Sequence, residues 1–65
     1  MRYIDKNLRE IKTGDFVMNS AGVEHGPVKA DDDRLRIPQR RQGEYYVLAA
    51  ETLPKTAWVK CEPPA

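Results

Sequence analysis

The first hydrophobic positions of the chain fall at a helical spacing. Ile4, Leu8 and Ile11 are separated by steps of four and three residues, which would place them on one face of a helix. Asp5 is a residue type that caps the start of a helix, and Gly14 is one that ends it. The pattern predicts a short N-terminal helix over residues 4–12.

Further along the chain the pattern changes to the alternation typical of β-structure. In the segment RLRI, residues 34–37, leucine and isoleucine alternate strictly with arginine, which predicts a strand with one buried and one exposed face. Pro38 ends this strand because proline cannot donate to the ladder of a sheet. The other predicted strands are DFVMN (15–19), PVKA (27–30), EYYVLAA (44–50) and AWVKC (57–61).

The segment EYYVLAA, residues 44–50, is apolar at consecutive positions. As a strand it would present apolar side chains on both faces, and as part of EYYVLAAETL it would fit a helix that ends before Pro54. We favour a strand because tyrosine and valine are typical of sheets. A strand that is apolar on both faces, in a chain too small to cover both, indicates association with another copy or another protein.

These elements together predict a mainly β fold, α+β at the margin. The expected architecture is a short N-terminal helix followed by about five short strands, which form a small bent antiparallel sheet or a partly open barrel. The expected domain covers residues 1–62, with a frayed C-terminal tail at 63–65. A chain of 65 residues has a small core, so its stability would depend on good packing, an oligomer or a partner.

Three fragments resemble parts of a Src-homology-3 domain. KTGDFV (12–17) resembles the lysine-glycine-acid entry into a strand of that family, GEYY (43–46) its glycine and two aromatics, and LPKTAWV (53–59) its proline turn into a final strand. About thirty residues separate Gly14 from Tyr45, which is longer than the spacing in that family. The resemblance therefore implies only a Src-homology-like shape, and the proline-peptide site of the family is not transferred.

Charge and cysteine content exclude several classes of function. The chain has 11 basic and 10 acidic residues, a net charge of +1, so no global field attracts polyanions. A single cysteine, Cys61, excludes an intrachain disulfide and fits a reducing compartment. One cysteine and one histidine are too few for a structural zinc site. Without an apolar run of signal-peptide or transmembrane length, we expect a soluble, cytoplasmic protein without metal or cofactor.

Ser20, His25 and the acids at 31–33 are the only residues that suggest catalysis, in a nucleophile, base and orienting-acid arrangement. No strand-turn-helix signature surrounds Ser20, and three consecutive acids do not have the spacing of a calcium loop. Cys61 is expected to be a small buried residue rather than a reactive thiol. We therefore expect no enzymatic activity, and a small hydrolytic enzyme remains a remote alternative.

The stretch DDDRLRIPQRRQGEYY, residues 31–46, combines arginines with aromatic residues. If Leu35 and Ile37 point inward, the arginines of that strand point outward, and the next strand would bring a tyrosine beside them. A nucleic-acid-binding barrel would use these side chains for phosphate contact and base stacking. Its residues would be Arg34, Arg36, Arg40, Arg41 and Tyr46. Four acids within the stretch balance its four arginines, so a solvated polar surface is the favoured interpretation.

Trp58 is the remaining feature. In AWVKC it shares a strand face with Lys60, and we expect the core to bury it. An exposed Trp58 would instead be a strong anchor for a partner.

The leading hypothesis is a small non-catalytic binding module that mediates protein-protein interaction, including self-association. Its partner would be another protein or a second copy, with nucleic acid as the alternative, and no membrane or small-molecule substrate. The expected partner surface consists of Tyr45, Tyr46, Trp58, Arg36, Arg40 and Arg41.

Overall fold

A computed structural model describes residues 2–64 of the chain. Met1 and Ala65, the first residue of the expected domain and the last of the expected tail, lie outside the described residues. The eight strands are β1 (Tyr3–Ile4), β2 (Glu10–Ile11), β3 (Phe16–Met18), β4 (Glu24–His25), β5 (Lys29–Ala30), β6 (Leu35–Pro38), β7 (Tyr45–Leu48) and β8 (Val59–Cys61). A 3₁₀ turn at Leu53–Lys55 precedes β8.

The strands form three small antiparallel sheets. β1 pairs with β2, β3 lies between β4 and β8, and β6 lies between β5 and β7. The mainly β prediction is confirmed, and the five strands predicted from the sequence correspond to β3, β5, β6, β7 and β8. Over residues 2–64 the sheets do not join into a closed barrel.

The predicted N-terminal helix is wrong. Residues 3–11 form the hairpin of β1 and β2 instead, with Tyr3 opposite Ile11. Leu8 has φ of 64° and is 86% exposed, so it leaves both the helical conformation and the apolar face that the spacing indicated. Asp5 does not cap a helix. Its Oδ1 accepts hydrogen bonds from the backbone N–H groups of Asn7 (2.9 Å) and Arg9 (3.0 Å) and so closes the hairpin turn.

The segment at 44–50 is a strand from Tyr45 to Leu48, as favoured above. It is an edge strand, because β6 is its only neighbour in the described chain. The predicted alternation in β6 is confirmed: Leu35 and Ile37 are fully buried and Arg36 is exposed. β6 therefore has a core face and a solvent face, as the arginine alternation requires.

The core lies between the sheets and is small. It contains seven buried apolar side chains, with Ala30, Leu48, Ala50 and Trp58 partly buried against them. These seven are Tyr3, Ile11, Val17, Val28, Leu35, Ile37 and Leu53. Trp58 is half-buried and packs against the core, an outcome between the two that the sequence left open.

Candidate functional site

The turn between β3 and β4 fixes the position of His25. Asn19 closes this turn through its side chain, whose Oδ1 accepts hydrogen bonds from Ala21 and Val23, both at 3.0 Å. Gly22 supplies the positive φ, 79°, that the turn requires. The resulting register places His25 directly opposite Val17 of the core. His25 is thereby held at the end of the sheet by a short, well-bonded hairpin.

The imidazole of His25 links this hairpin to β6. Its Nδ1 lies 2.9 Å from the carbonyl oxygen of Pro38, and since a carbonyl only accepts, Nδ1 carries the proton and donates it. Nε2 has no hydrogen-bond partner among residues 2–64, where every fully buried side-chain nitrogen or oxygen is paired. His25 as a whole is buried, with 9% of its surface exposed, so Nε2 has only marginal contact with solvent.

His25, Tyr46 and Trp58 form one aromatic cluster. The centroid of the His25 ring lies 5.2 Å from that of Trp58 and 6.0 Å from that of Tyr46, both in edge-to-face orientation. The centroids of Tyr46 and Trp58 are 5.4 Å apart. These separations fall within the range of favourable aromatic pairs. Because Tyr46 remains 42% exposed and Trp58 is half-buried, the cluster offers ring surface to a ligand.

A cleft of about 460 Å³ opens beside the rings. It lies between the β3–β4 turn and the β6–β7 turn, and its walls are mainly polar. The residues that line it are Asn19, Val23, His25, Gln39, Arg40, Arg41, Glu44 and Tyr46. We call this space the aromatic cleft; its volume is in the range of sites that hold a small ligand or a few side chains of a peptide.

The two arginines of the cleft occupy the tight connection from β6 to β7. Gln39 donates its backbone N–H to the carbonyl of Glu44 (2.9 Å), and Gly43 provides a positive φ of 86°. This geometry leaves Arg40 and Arg41 at the tip of the hairpin. Neither forms an ion pair within the described chain, so their charges are available to an anionic group in the cleft.

The other two candidate arginines lie on a different surface. Arg36 pairs with Val47 across the strands, whereas Ile37 pairs with Tyr46, so Arg36 and Tyr46 point to opposite faces of the sheet. Arg34 directly precedes β6 and lies two residues from Arg36, the spacing that returns to the same face of an extended chain. The Nε of Arg36 also lies 2.7 Å from Oδ2 of Asp31. The fold therefore places Tyr46, which contacts Trp58, in one cleft with Arg40 and Arg41, and it separates Tyr46 from Arg34 and Arg36.

Tyr45 and Val47 lie on the outer face of β7, with Arg36 and Pro38 opposite them. Tyr45 is 49% exposed and Val47 is 45% exposed. Because Gln39 and Glu44 form a hydrogen-bonded pair, the alternation of an antiparallel ladder makes Ile37–Tyr46 and Leu35–Leu48 the next bonded pairs. The backbone groups of Tyr45 and Val47 therefore point away from β6, toward an edge that no described strand occupies.

The residues that suggested catalysis do not assemble. The hydrogen bond of His25 goes to Pro38, and no hydrogen bond joins His25 to Ser20 or to an acid in the described chain. Asp31 begins the turn from β5 to β6, where its backbone N–H donates to Arg34. Burial, reinforced by the nearby negative charges of Glu24 and Glu62, raises the pKa of the Cys61 thiol, which disfavours the reactive thiolate. No cluster of three or more potential metal ligands occurs in residues 2–64.

Sequence reasoning missed His25 as a partner of the aromatic residues. It was considered only beside Ser20, because both belong to the same turn-rich stretch. The cluster with Tyr46 and Trp58 depends on the packing of two sheets, and no spacing along the chain indicates it. The sequence shows Asn19 and the glycines that form the β3–β4 and β6–β7 turns. It does not show that these two turns face each other across a cleft.

Comparison of the chain with models of known protein families, with curated protein sequences and with solved structures finds no match. Within residues 2–64 no helix has the length and hydrophobicity needed to cross a bilayer. The aromatic cleft and the neighbouring strand β7 are the features of the molecule that bear on its function.

Proposed function

We propose that this protein is a small non-catalytic module that binds a segment of another protein at the aromatic cleft and the adjoining strand β7. The binding residues are Tyr46 and Trp58 as ring anchors, Arg40 and Arg41 as charged groups of the cleft, and Tyr45 with Arg36 on the outer face of β7.

The observation that carries this proposal is the position of exposed Tyr46, in contact with half-buried Trp58, beside two arginines that form no ion pair in the described chain. The ring centroids of Tyr46 and Trp58 lie 5.4 Å apart, and Tyr46 lines the cleft together with Arg40 and Arg41. Tryptophan, tyrosine and arginine are the residue types that most often dominate binding energy at protein interfaces. These residue types converge here, and within residues 2–64 His25 has no hydrogen bond to a nucleophile or an acid.

The contacts that His25 makes with the rings of Tyr46 and Trp58 also support a binding role. His25 is fixed by its hydrogen bond to Pro38 and holds both rings edge-on. An anchor whose rotamers are already restricted loses less side-chain entropy when a ligand binds. The site is thus prepared for a ligand before it arrives.

A random 12-residue peptide display library, selected against the immobilised protein, tests the proposal. Trp58 is the only tryptophan, so its fluorescence reports directly on binding of each enriched, synthesised peptide. We expect Tyr46→Ala to weaken these peptides at least tenfold, which corresponds to about 1.4 kcal/mol. The Arg40→Ala/Arg41→Ala double variant should weaken acidic peptides, whereas the control Arg2→Ala/Lys6→Ala, with the same change in net charge, should not.

The proposal fails if the library yields no enriched sequence, or if Tyr46→Ala leaves the affinity of the enriched peptides unchanged. Folding of each variant is checked by its amide NMR spectrum, so that a lost structure is not scored as a lost contact.

Nucleic-acid binding is the second candidate, because exposed rings beside arginines also suit single strands. The separation of Arg34 and Arg36 from Tyr46 reduces the number of phosphates that one strand could contact at the cleft. With about two phosphates neutralised by Arg40 and Arg41, log affinity for single strands should fall against log salt with a slope near −1.4. Binding of a 15-nucleotide oligothymidine with that slope, together with an empty peptide selection, would favour this candidate.

A further inference from the structure

We propose that the partner segment binds as an additional strand on the open edge of β7, and that it alternates acidic with apolar side chains. The acidic residues of the segment would face the aromatic cleft and the apolar ones would face Tyr45 and Val47. This inference rests on the proposed function and adds the mode of binding and the chemistry of the ligand.

The backbone of β7 supplies the first argument. The N–H and C=O groups of Tyr45 and Val47 point away from β6, and no hydrogen bond from the described residues reaches them. Unpaired edges of this kind are templates for another strand, and native proteins usually block them with charges, proline or bulges. β7 contains only Tyr45, Tyr46, Val47 and Leu48, none of which blocks pairing.

The two faces of β7 supply the second argument. Successive residues of an added strand point to opposite faces, so alternate side chains would lie beside Tyr46 on one face and beside Tyr45 and Val47 on the other. The outer face offers apolar surface, since Tyr45 and Val47 are each nearly half exposed. Alternation is therefore the pattern that satisfies both faces, while the hydrogen bonds of the main chain supply affinity independent of sequence.

Charge identifies the ligand as acidic. Arg40 and Arg41 have no ion pair in residues 2–64, and Glu44 is the only acid that lines the cleft with them. Carboxylates accept bidentate hydrogen bonds from arginine. A second copy that pairs through its own β7 is a poorer occupant, because residues 45–50 contain no acid to offer to these arginines.

The first experiment uses a synthetic probe, the blocked peptide acetyl-GEVEVEVEG-amide, titrated into the full chain. Two controls match it: a lysine version in which every glutamate is replaced, and a version of the same composition in which the glutamates and valines form two blocks. We expect the alternating acidic peptide to bind at least tenfold more tightly than either control. Equal affinity of the block peptide would overturn strand addition, and equal affinity of the lysine peptide would overturn the acidic specificity.

The second experiment removes one hydrogen bond of the open edge. Val47→Pro deletes an N–H that does not take part in the pairing with β6, and proline is tolerated at such positions on edge strands. Val47→Ala is the matched control, because it removes most of the side chain but keeps the N–H. We expect Val47→Pro to weaken the alternating peptide roughly tenfold and Val47→Ala to weaken it by less than half that factor. Equal effects of the two variants would contradict the strand model.

If Val47→Pro does not fold, alternately N-methylated probes replace it. Methyl groups on every second residue of the peptide block either the N–H groups that face β7 or those that face solvent. One of the two methylated peptides should lose binding and the other should keep it; equal behaviour would overturn the inference. Enriched display peptides that bind through Tyr46 without sensitivity to N-methylation would leave the proposed function standing and reject strand addition alone.

Discussion

Two edge strands of this small domain, β8 and β7, differ in whether their outward-facing backbone groups are hydrogen-bonded. At the outer edge of β8, the backbone N–H of Lys60 donates to Oδ2 of Asp5 at 2.8 Å, and its carbonyl accepts from the Arg9 guanidinium at 3.5 Å. At the outer edge of β7, the corresponding groups of Tyr45 and Val47 have no partner in the described chain. One edge is closed by side chains of the N-terminal hairpin, and the other is left open.

The edge of β8 shows that even a chain this short can satisfy the backbone groups of an edge strand with its own side chains. Asp5 is fully buried and accepts three backbone N–H groups, from Asn7, Arg9 and Lys60. The N-terminal hairpin is also bonded to the β5–β6 turn, because the hydroxyl of Tyr3 donates to the carbonyl of Asp31 at 2.7 Å. An exposed aromatic edge is a liability that proteins normally avoid. The open edge of β7 is the feature from which we propose a binding role.

Opening the closed edge should have the largest effect on stability. Asp5→Ala removes all three hydrogen bonds to a buried carboxylate, and bonds to charged groups are worth about 1.5–3 kcal/mol each before relaxation and access of water. We expect a loss of about 3 kcal/mol in the free energy of unfolding, measured by urea denaturation. Asp32→Ala, at an exposed position in the β5–β6 turn, should change stability by less than about 0.5 kcal/mol. Comparable losses in the two variants would contradict the role assigned to Asp5.

Acid should open the closed edge more gradually. Burial by itself would raise the pKa of Asp5, but the backbone hydrogen bonds from Lys60, Arg9 and Asn7, helped by the charge of Arg9, bring its pKa below the ordinary value. A lowered folded pKa gives stability that is fully present above the unfolded pKa, near 3.9, and that is lost as the pH falls through the folded pKa.

The difference in stability between wild type and Asp5→Asn should therefore be constant from pH 7 to about pH 5 and should shrink below about pH 4. Urea midpoints at pH 7, 5, 4, 3 and 2 measure it. A difference that stays constant down to pH 2 would show that the ionised carboxylate is not what holds the edge.

A smaller effect should follow from the turn that carries Asp5. Leu8 adopts φ of 64°. Its side chain is 86% exposed, so packing contributes little to offset this conformation. Left-handed conformation costs roughly 1–2 kcal/mol for a residue with a Cβ, whereas glycine adopts it freely but loses more entropy on folding. We expect Leu8→Gly to raise the free energy of unfolding by about 0.5–1 kcal/mol, measured by thermal and urea denaturation. A destabilised variant would mean that the exposed leucine side chain makes a contact that matters.

The smallest effect on stability should come from the open edge. Val47→Lys places a charge at a half-exposed position of β7, and we expect the free energy of unfolding to change by less than about 0.5 kcal/mol. The same substitution should weaken peptide binding, because edge lysines oppose the addition of a strand. Titration of the enriched display peptides measures this second effect. A strongly destabilised variant would show that Val47 serves the fold rather than a partner.

The sequence predicted the elements whose signal is local. Strict alternation at Leu35 and Ile37 identified β6, and turn residues such as Gly43 marked the connection that follows it. The N-terminal helix was wrong because Leu8 fits a helical spacing but takes a left-handed turn conformation, which the side-chain interactions of Asp5 favour. Hydrophobic spacing over two turns of helix does not distinguish these cases when a buried carboxylate can organise the backbone instead.

The candidate site was predicted only in part, for a topological reason. Tyr45, Tyr46 and Trp58 were identified as residue types that bind partners, but the sequence did not show that β7 would be an edge strand. It grouped Arg36 with Tyr46 because both lie close together along one hairpin. Strand register then placed them on opposite faces, since Arg36 pairs with Val47 and Ile37 with Tyr46. A shift of one residue in register would reverse that result, and the unbroken apolar run at residues 45–50 does not show which of its side chains face the core.

Amide hydrogen exchange by NMR tests the contrast between the two edges most directly. In the free protein, the amide of Lys60 should exchange slowly, because it donates to buried Asp5, whereas the amides of Tyr45 and Val47 should exchange much faster than those of their bonded neighbours Tyr46 and Leu48. With the alternating acidic peptide bound, Tyr45 and Val47 should become protected while Lys60 stays unchanged. Protection of Tyr45 and Val47 equal to that of Lys60 in the free protein, or exchange that remains fast in the saturated complex, would contradict the account.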